Sequence, residues 1–403
     1  MPKALFFNVP GHGHVNPSLP LVAELVRRGH EITYLISEGF RAQIESAGAI
    51  FHPYRTVNDD YFDVRGLSGA VPGKVAYELI STAADILPEL LNSARALQPD
   101  YVMYDGMCPW GYMVARVLGL PAIASLALLP LNTPPLTELL NPDIFRAFLM
   151  IFRDIGNGFK ANGIARELGK QYQVPALGLQ TMLNSPADLA ISYTSAEFQP
   201  NINTVAKNVR FVGRILDDMP GDPNFSFEQV KGRKLVYVSL GTLNNEDVSF
   251  FKTCIEAFTG TDYYVMMTTG KRISPESFGP LPENIAIFSW VPQFDILKQA
   301  ALFITHGGLN SIHDGLYFGV PLLLVPQQGE QLVNALRVVE LGAGLKLRKD
   351  QISADVIRRH ARQLLTDDRF STHAASTGAT FRAAGGAARG ADEIERFLSE
   401  QRQ

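Results

Sequence analysis

Two stretches of this chain gather residues whose types and spacing could do chemistry. The first is Phe303-Ile304-Thr305-His306-Gly307-Gly308-Leu309-Asn310-Ser311. An apolar run of strand character delivers His306 at its carboxyl end, two glycines let the backbone approach a ligand, and Asn310-Ser311 fall where a helix should begin. Helix N-termini offer unpaired N–H groups and a positive dipole end, so this pattern suits a diphosphate, with His306 as a further donor. Taken in isolation it also reads as a glycine turn ahead of a capped helix. The second stretch is Pro10-Gly11-His12-Gly13-His14-Val15-Asn16-Pro17. Histidine titrates near neutrality and can serve as a general base, and here His12 and His14 compete for that role.

Around the first stretch stand residues of complementary chemistry. Trp290-Val291-Pro292-Gln293 follows a strand-like run, and Trp290 is one of only two tryptophans in the chain. A large flat ring can stack on a nucleobase, and Gln293 can bond a base or ribose edge; a core aromatic is the competing reading. Downstream come Asp314 and then Pro326-Gln327-Gln328-Gly329-Glu330-Gln331. Acidic and amide side chains of this kind can hold ribose and hexose hydroxyls, although Glu330-Gln331 alone would pass for a surface helix start.

The elements that must position these residues fall into two halves. In the first, Ala4 to Val9 reads as a strand buried on both faces, and Asn16 can cap a helix with Pro17 in its first turn. Leu19, Val22, Leu25 and Val26 share one helical face, Gly29 ends the helix, and Glu31 to Ile36 is the next strand. Strand, glycine loop, helix, strand opens a doubly wound parallel sheet. Further strands are expected at Tyr101–Tyr104, Ala122–Leu126, Leu189–Tyr193 and Arg210–Val212.

Residues 214–233, with Asp217-Asp218-Met219-Pro220-Gly221-Asp222-Pro223-Asn224 inside them, read as a linker. The grammar then restarts: Leu235–Ser239 as a strand, Leu240-Gly241-Thr242 as a tight turn, and Asp247–Phe258 as an amphipathic helix. Tyr264–Met267, Ile285–Phe288, Leu302–Ile304 and Pro321–Val325 are the later strands, and a helical pattern at Asp392–Phe397 follows a flexible Gly385-Gly386. The halves match in grammar without a convincing sequence repeat. Parallel sheets take ligands at the carboxyl ends of their strands, so a cleft between two such domains is the expected site.

The run from Trp290 to Gln331 resembles the nucleotide-sugar signature of the UDP-glycosyltransferase family, and the whole chain resembles its bacterial macrolide-type members. Pro10–Pro17 and Ser239-Leu240-Gly241-Thr242 match as well. The resemblance implies a GT-B fold: two Rossmann-like domains facing across a cleft, an acceptor domain over 1–213, a donor domain over 234–386, and a final helix near 387–403 that returns to the first domain. It implies that Trp290 stacks on uracil and that Val291 and Gln293 meet the base edge. His306, Gly308, Asn310 and Ser311 would hold the diphosphate, helped by Gly241-Thr242, and Glu330 and Gln331 would bind the transferred sugar. Asp314 stands where the family usually has a glutamate on the ribose hydroxyls, one methylene longer. In the family pattern the second histidine is the base, here His14, and Asp105 matches the aspartate that orients it.

The reaction so implied is inverting transfer of a hexose, glucose first among them, from a UDP-sugar to a hydroxyl of a small apolar acceptor of macrolide, polyphenol or terpenoid type. No cofactor or metal is called for, since no Asp-x-Asp motif accompanies the phosphate residues. Met107 to about Gln180, with Trp110, Phe145, Phe148, Met150 and Phe152, would lie near the acceptor, though core packing explains the same residues. A GT-B nucleotide-sugar epimerase and a non-catalytic nucleotide-sugar binder are the alternatives. A dinucleotide oxidoreductase fails because Asn16 stands where the third fingerprint glycine belongs. A metal site on His12 and His14 lacks further ligands at convincing spacing.

Bulk properties narrow the field further. At 403 residues the chain is long for one core, and 46% hydrophobic with 19% charged residues is ordinary for a globular protein. A formal net charge of -4 gives no case for nucleic acid as partner, and Arg27-Arg28 and Arg358-Arg359 read as solvated helix faces. Two cysteines, Cys108 and Cys254, argue against a disulfide scaffold and for a reducing compartment. No apolar stretch reaches the roughly 20 residues a membrane span needs, and the opening residues leave too little apolar length for a signal peptide, so a cytoplasmic protein is expected. The oligomeric state, monomer or dimer, is left open.

Overall fold

A computed structural model of the chain describes residues 1–55, 57–61, 65–67, 71–130, 142, 154–178, 186–216, 222, 225–230, 232–241, 247–270, 272–327 and 329–402. Thr242 and the apolar residues Phe145, Phe148, Met150 and Phe152 lie outside the described residues, as does part of the expected linker. The chain divides into two compact units, Met1–Asp217 with Ala383–Gln403, and Asp218–Arg382.

In the first unit the apolar runs form β1 (Lys3–Phe7), β2 (Glu31–Ile36), β3 (Ile50–Pro53), β4 (Tyr101–Asp105), β5 (Ala122–Leu126), β6 (Leu189–Ser192) and β7 (Val209–Phe211). Among the described residues they make one sheet in the order β3-β2-β1-β4-β5-β6-β7, every pairing parallel. Burial on both faces explains why β1, β4 and β5 are almost wholly apolar. Among the described residues its helices include α1 (His12–Arg27), α2 (Arg41–Ser46), α3 (Pro72–Leu97), α4 (Pro109–Leu118) and α5 (Ile155–Tyr172).

The expected cap at Asn16 is not where α1 begins. Gly11 is the N-cap and His12 the first helical residue, so Asn16, Pro17 and Pro20 lie inside the helix. Proline normally breaks a helix by leaving a carbonyl four residues back unpaired. Gly13 and Asn16, four residues before the two prolines, are exposed residues, and the helix carries both prolines.

The second unit repeats the pattern with β8 (Leu235–Ser239), β9 (Tyr264–Thr268), β10 (Ile285–Phe288), β11 (Ala300–Thr305), β12 (Leu322–Leu324) and β13 (Gly344–Lys346). Its order is β10-β9-β8-β11-β12-β13, again parallel among the described residues. The helices that matter below are α6 (Val248–Phe258), α7 (Gln293–Gln299), α8 (Leu309–Tyr317), α9 (Gly329–Glu340), α10 (Ala354–Thr366) and α11 (Asp368–Ala383). Asp247 caps α6 by accepting from the Phe250 N–H at 3.0 Å.

The last helix, α12 (Gly386–Gln401), belongs to the first unit. Ile394 and Leu398 enter the same core as Leu21, Val22 and Leu25 of α1, and a Cβ on Gly390 would come 2.9 Å from Leu21 Cδ1. Arg28, read from sequence as a solvated charge, instead bonds Asp392 at 2.7 Å and Glu395 at 2.8 Å on α12. Gly385-Gly386 are a turn with φ of 96° and 61°, anchored by the Gly386 N–H on the Val212 carbonyl at 2.8 Å. Left-handed backbone is the reason for glycine there.

In each sheet the order reverses beside the first strand of that unit, between β1 and β4 and between β8 and β11. Ligands of doubly wound sheets bind outside the carboxyl ends of strands at this switch point. His14 and Asp105 stand there in the first unit and Gly241 and His306 in the second, while Trp290, Val291 and Gln293 follow β10 and Glu330 and Gln331 follow β12.

Candidate active-site residues in the two units

In the first unit, β4 ends on Asp105, and its carboxylate is 1% exposed. The Met107 N–H donates to its Oδ1 at 2.8 Å, a turn bond that fixes the carboxylate at the strand end. His14, in the first turn of α1, brings Nδ1 to 3.1 Å from Oδ1 and 3.0 Å from Oδ2. A buried carboxylate needs such partners, since taking it out of water unpaired is costly. With Nδ1 engaged by the carboxylate, Nε2 is the ring nitrogen left to take a proton. His12 is exposed, with its ring 4.9 Å from that of Phe40.

Behind this pair lies a buried polar network that sequence reasoning missed. Asn8 accepts from the Val9 N–H at 2.7 Å, which helps end β1, and its amide donates to the Tyr34 hydroxyl at 2.7 Å. The same amide reaches the His14 carbonyl at 3.4 Å. Ser18 meets the Tyr34 hydroxyl at 2.9 Å and donates to the Val15 carbonyl at 2.8 Å. Burial pushes the Tyr34 hydroxyl well above its ordinary range, so it remains a neutral partner. Only the polar character of Asn8, next to an apolar strand, hinted at this support. Trp110, which core packing also explained, is fully buried and donates to the Tyr54 hydroxyl at 2.9 Å.

In the second unit His306 follows β11 directly, and its ring is enclosed by glycine backbone. A Cβ on Gly241 would lie 2.5 Å from His306 Cε1, and one on Gly308 would lie 2.4 Å from Nε2. Neither position accepts a side chain, which explains both glycines. Thr305 Oγ1 stands 3.3 Å from Nδ1. Desolvation pulls the His306 pKa down to about 4, so the ring is a neutral donor at pH 7. Gly308 is the N-cap of α8 and makes no side-chain cap, and Asn310 and Ser311 sit in the first turn. The arrangement presents a helix N-terminus and an imidazole to an anion.

The remaining donor-site candidates form two further groups. Trp290 is 69% exposed beyond the end of β10, which removes the core-aromatic reading, while Val291 is buried. Gln293 opens α7, and its Nε2 donates to Asp314 Oδ2 at 2.8 Å. Asp314, on α8, is 3% exposed. The Tyr237 hydroxyl donates to Gln293 Oε1 at 3.3 Å and so sets which way the amide faces. Glu330 is exposed at the start of α9, and Gln331 is buried with its Oε1 accepting from the Gln327 N–H at 2.9 Å.

Two doubly wound sheets with candidate residues at both switch points define a GT-B architecture. Comparison with known proteins agrees. Residues 253–386 match the family model described as Erythromycin biosynthesis protein CIII-like, C-terminal domain. The NDP-glycosyltransferase YjiC of Bacillus licheniformis is 34% identical over 98% of this chain and 97% of its own length. The demethyllactenocin mycarosyltransferase of Streptomyces fradiae is 30% identical, covering 99% of this chain and 87% of its own. The crystal structure of the calicheamicin glycosyltransferase CalG4 superposes with a TM-score of 0.82 at 29% identity, over 99% of this chain and 98% of that one.

The chain therefore belongs to the UDP-glycosyltransferase family, among its bacterial macrolide-type members. It is a glycosyltransferase of natural-product type, and neither the epimerase nor the non-catalytic binder is favoured. Among the described residues no helix is long and apolar enough to cross a membrane.

Proposed function

We propose that the protein transfers a hexose, glucose first among candidates, from a UDP-sugar to a hydroxyl of a small apolar acceptor, inverting the anomeric centre. The observation that carries this reading is the His14–Asp105 pair at 3.0 Å. His14 Nε2 takes the acceptor proton as the hydroxyl oxygen attacks the anomeric carbon, and Asp105 orients the ring and meets the charge it acquires. The bond from the anomeric carbon to the diphosphate oxygen breaks, and the nucleotide diphosphate leaves with the electron pair. The N-terminus of α8 and the His306 donor meet that charge, helped by Ser311 and Thr242. Trp290 stacks on the uracil, Val291 and Gln293 meet its edge, Asp314 takes a ribose hydroxyl, and Glu330 with Gln331 holds the sugar.

No divalent metal takes part, because the donor set just named supplies the charge stabilisation. Both cysteines are buried and free, which supports a reducing compartment such as the cytoplasm.

The test is incubation with UDP-glucose and a panel of macrolide, polyphenol and terpenoid acceptors, read by mass spectrometry, with the anomeric configuration read by NMR. Glucosides of β configuration, formed at the same rate with excess EDTA or magnesium, are expected. An α product would refute the inverting mechanism, and a metal-reversible loss of activity would refute the metal-free site.

A further inference from the structure

Asn334 is absent from every role above, yet it joins two of them. It lies one turn into α9 and is 1% exposed. Its Nδ2 donates to the Gly307 carbonyl at 3.2 Å and to Glu330 Oε1 at 3.2 Å. An amide nitrogen carries two hydrogens, and these two acceptors account for both. One acceptor belongs to the glycine turn that carries His306, and the other is the carboxylate assigned to the sugar.

We propose that Asn334 is a positioning residue that holds the Glu330 carboxylate in register with the diphosphate turn, and so sets where the transferred sugar sits. The inference rests on the reading of Glu330 as a sugar ligand. Glu330 is exposed, and a long, exposed carboxylate samples several rotamers unless a partner selects one. Asn334 is placed to do so, four residues on and on the same helical face. Its second bond ties the carboxylate to the turn and not merely to α9. The turn and helix are in close contact here: a Cβ on Gly307, whose φ is 87°, would lie 3.1 Å from the Gln331 carbonyl.

A buried asparagine could serve only to satisfy the Gly307 carbonyl. The two roles separate in a double-mutant cycle on the full-length enzyme, with Asn334→Ala, Glu330→Ala and the double variant. Donor kcat/KM with UDP-glucose is read alongside the Kd of UDP, which has no sugar. Asn334→Ala should lower donor kcat/KM roughly tenfold while UDP Kd stays within about twofold, and it should add nothing once Glu330 is alanine. Asn334→Asp keeps the shape but can donate to at most one of the two oxygens, and only when protonated, so it should lose activity as well, and it serves should the alanine variant not fold.

An undiminished effect of Asn334→Ala in the Glu330→Ala background would overturn the proposal, as would equal losses in UDP and UDP-glucose binding. Normal activity of Asn334→Asp alongside an impaired Glu330→Ala would overturn it alone. A Glu330→Ala enzyme with unchanged donor use would instead remove the sugar-ligand reading on which it rests.

Discussion

Each unit carries a histidine beside the switch point of its sheet, His14 after β1 and His306 after β11, and the two rings have different surroundings. His14 lies against a buried carboxylate at 3.0 Å. His306 lies between the backbones of Gly241 and Gly308, and desolvation holds it neutral. A carboxylate beside an imidazole meets any charge that the ring acquires. A glycine enclosure does the reverse and keeps the ring as a donor of fixed, neutral form. The proposed roles follow these neighbours: a proton acceptor beside the carboxylate, and a neutral donor where burial strips the ring of water.

The largest expected effect breaks the first half of this contrast. His14→Ala should lower turnover roughly 10²–10⁴-fold, the usual range for loss of a general base. UDP affinity should stay close to wild type, since the residues proposed to bind it belong to the other unit. Asp105→Asn should cost less, because it orients the base without taking the proton. Strongly acidic phenols should partly rescue His14→Ala, as they need little help to ionise. Near-normal rates in His14→Ala together with a dead His12→Ala would move the base to the exposed histidine.

A smaller effect sharpens the second unit's role as a reader of fixed groups. Gln293 Nε2 bonds Asp314 Oδ2, and the Tyr237 hydroxyl fixes that amide from behind. The carboxylate is thus held and buried, able to accept from a ribose hydroxyl that a deoxyribose lacks at one position. An unpaired polar group in a closed site costs about 1–3 kcal/mol, so UDP-glucose should be preferred over TDP-glucose by about ten- to a hundred-fold. Asp314→Glu should keep or raise this ratio of kcat/KM values, and Asp314→Ala should bring it toward unity. Equal use of both donors by the wild type would show that Asp314 does not read the ribose.

Much of this was legible in the sequence, for identifiable reasons. Strands buried on both faces leave apolar runs, so β5 and β8 stand at their expected limits, as do β2 and the edge strand β10. The short edge strands β3 and β13 were not foreseen, because Ile50–Pro53 and Gly344–Lys346 lack such a run. The start of α1 was misplaced because Pro17 reads as a first-turn residue, whereas the helix begins at His12 and Pro17 sits deeper. Arg28 was misread because its partners, Asp392 and Glu395, are more than 360 residues away. Asn8, Tyr237 and Asn334 went unnoticed for the same reason: each acts by joining segments that only the fold brings together.

The smallest expected effect tests the enclosure of His306 through stability. Its ordinary pKa is 6.5 and its folded value about 4, so between those limits the unfolded chain binds the extra proton. Stability then rises with pH across this window, and acidification from pH 7 to 5 penalises the folded state. The full shift would cost more, but His306 is half-buried, and about 1–2 kcal/mol is expected by pH 5. His306→Asn removes the titrating group, so its denaturation free energy should fall by that much less than wild type over the same interval. His30, also buried with its pKa lowered, is common to both proteins and cancels in the comparison. Saturating UDP should shrink the difference, because a diphosphate beside the ring favours its charged form. Parallel pH curves for wild type and variant in the absence of UDP would mean that burial does not hold His306 neutral, and the contrast with His14 would fall.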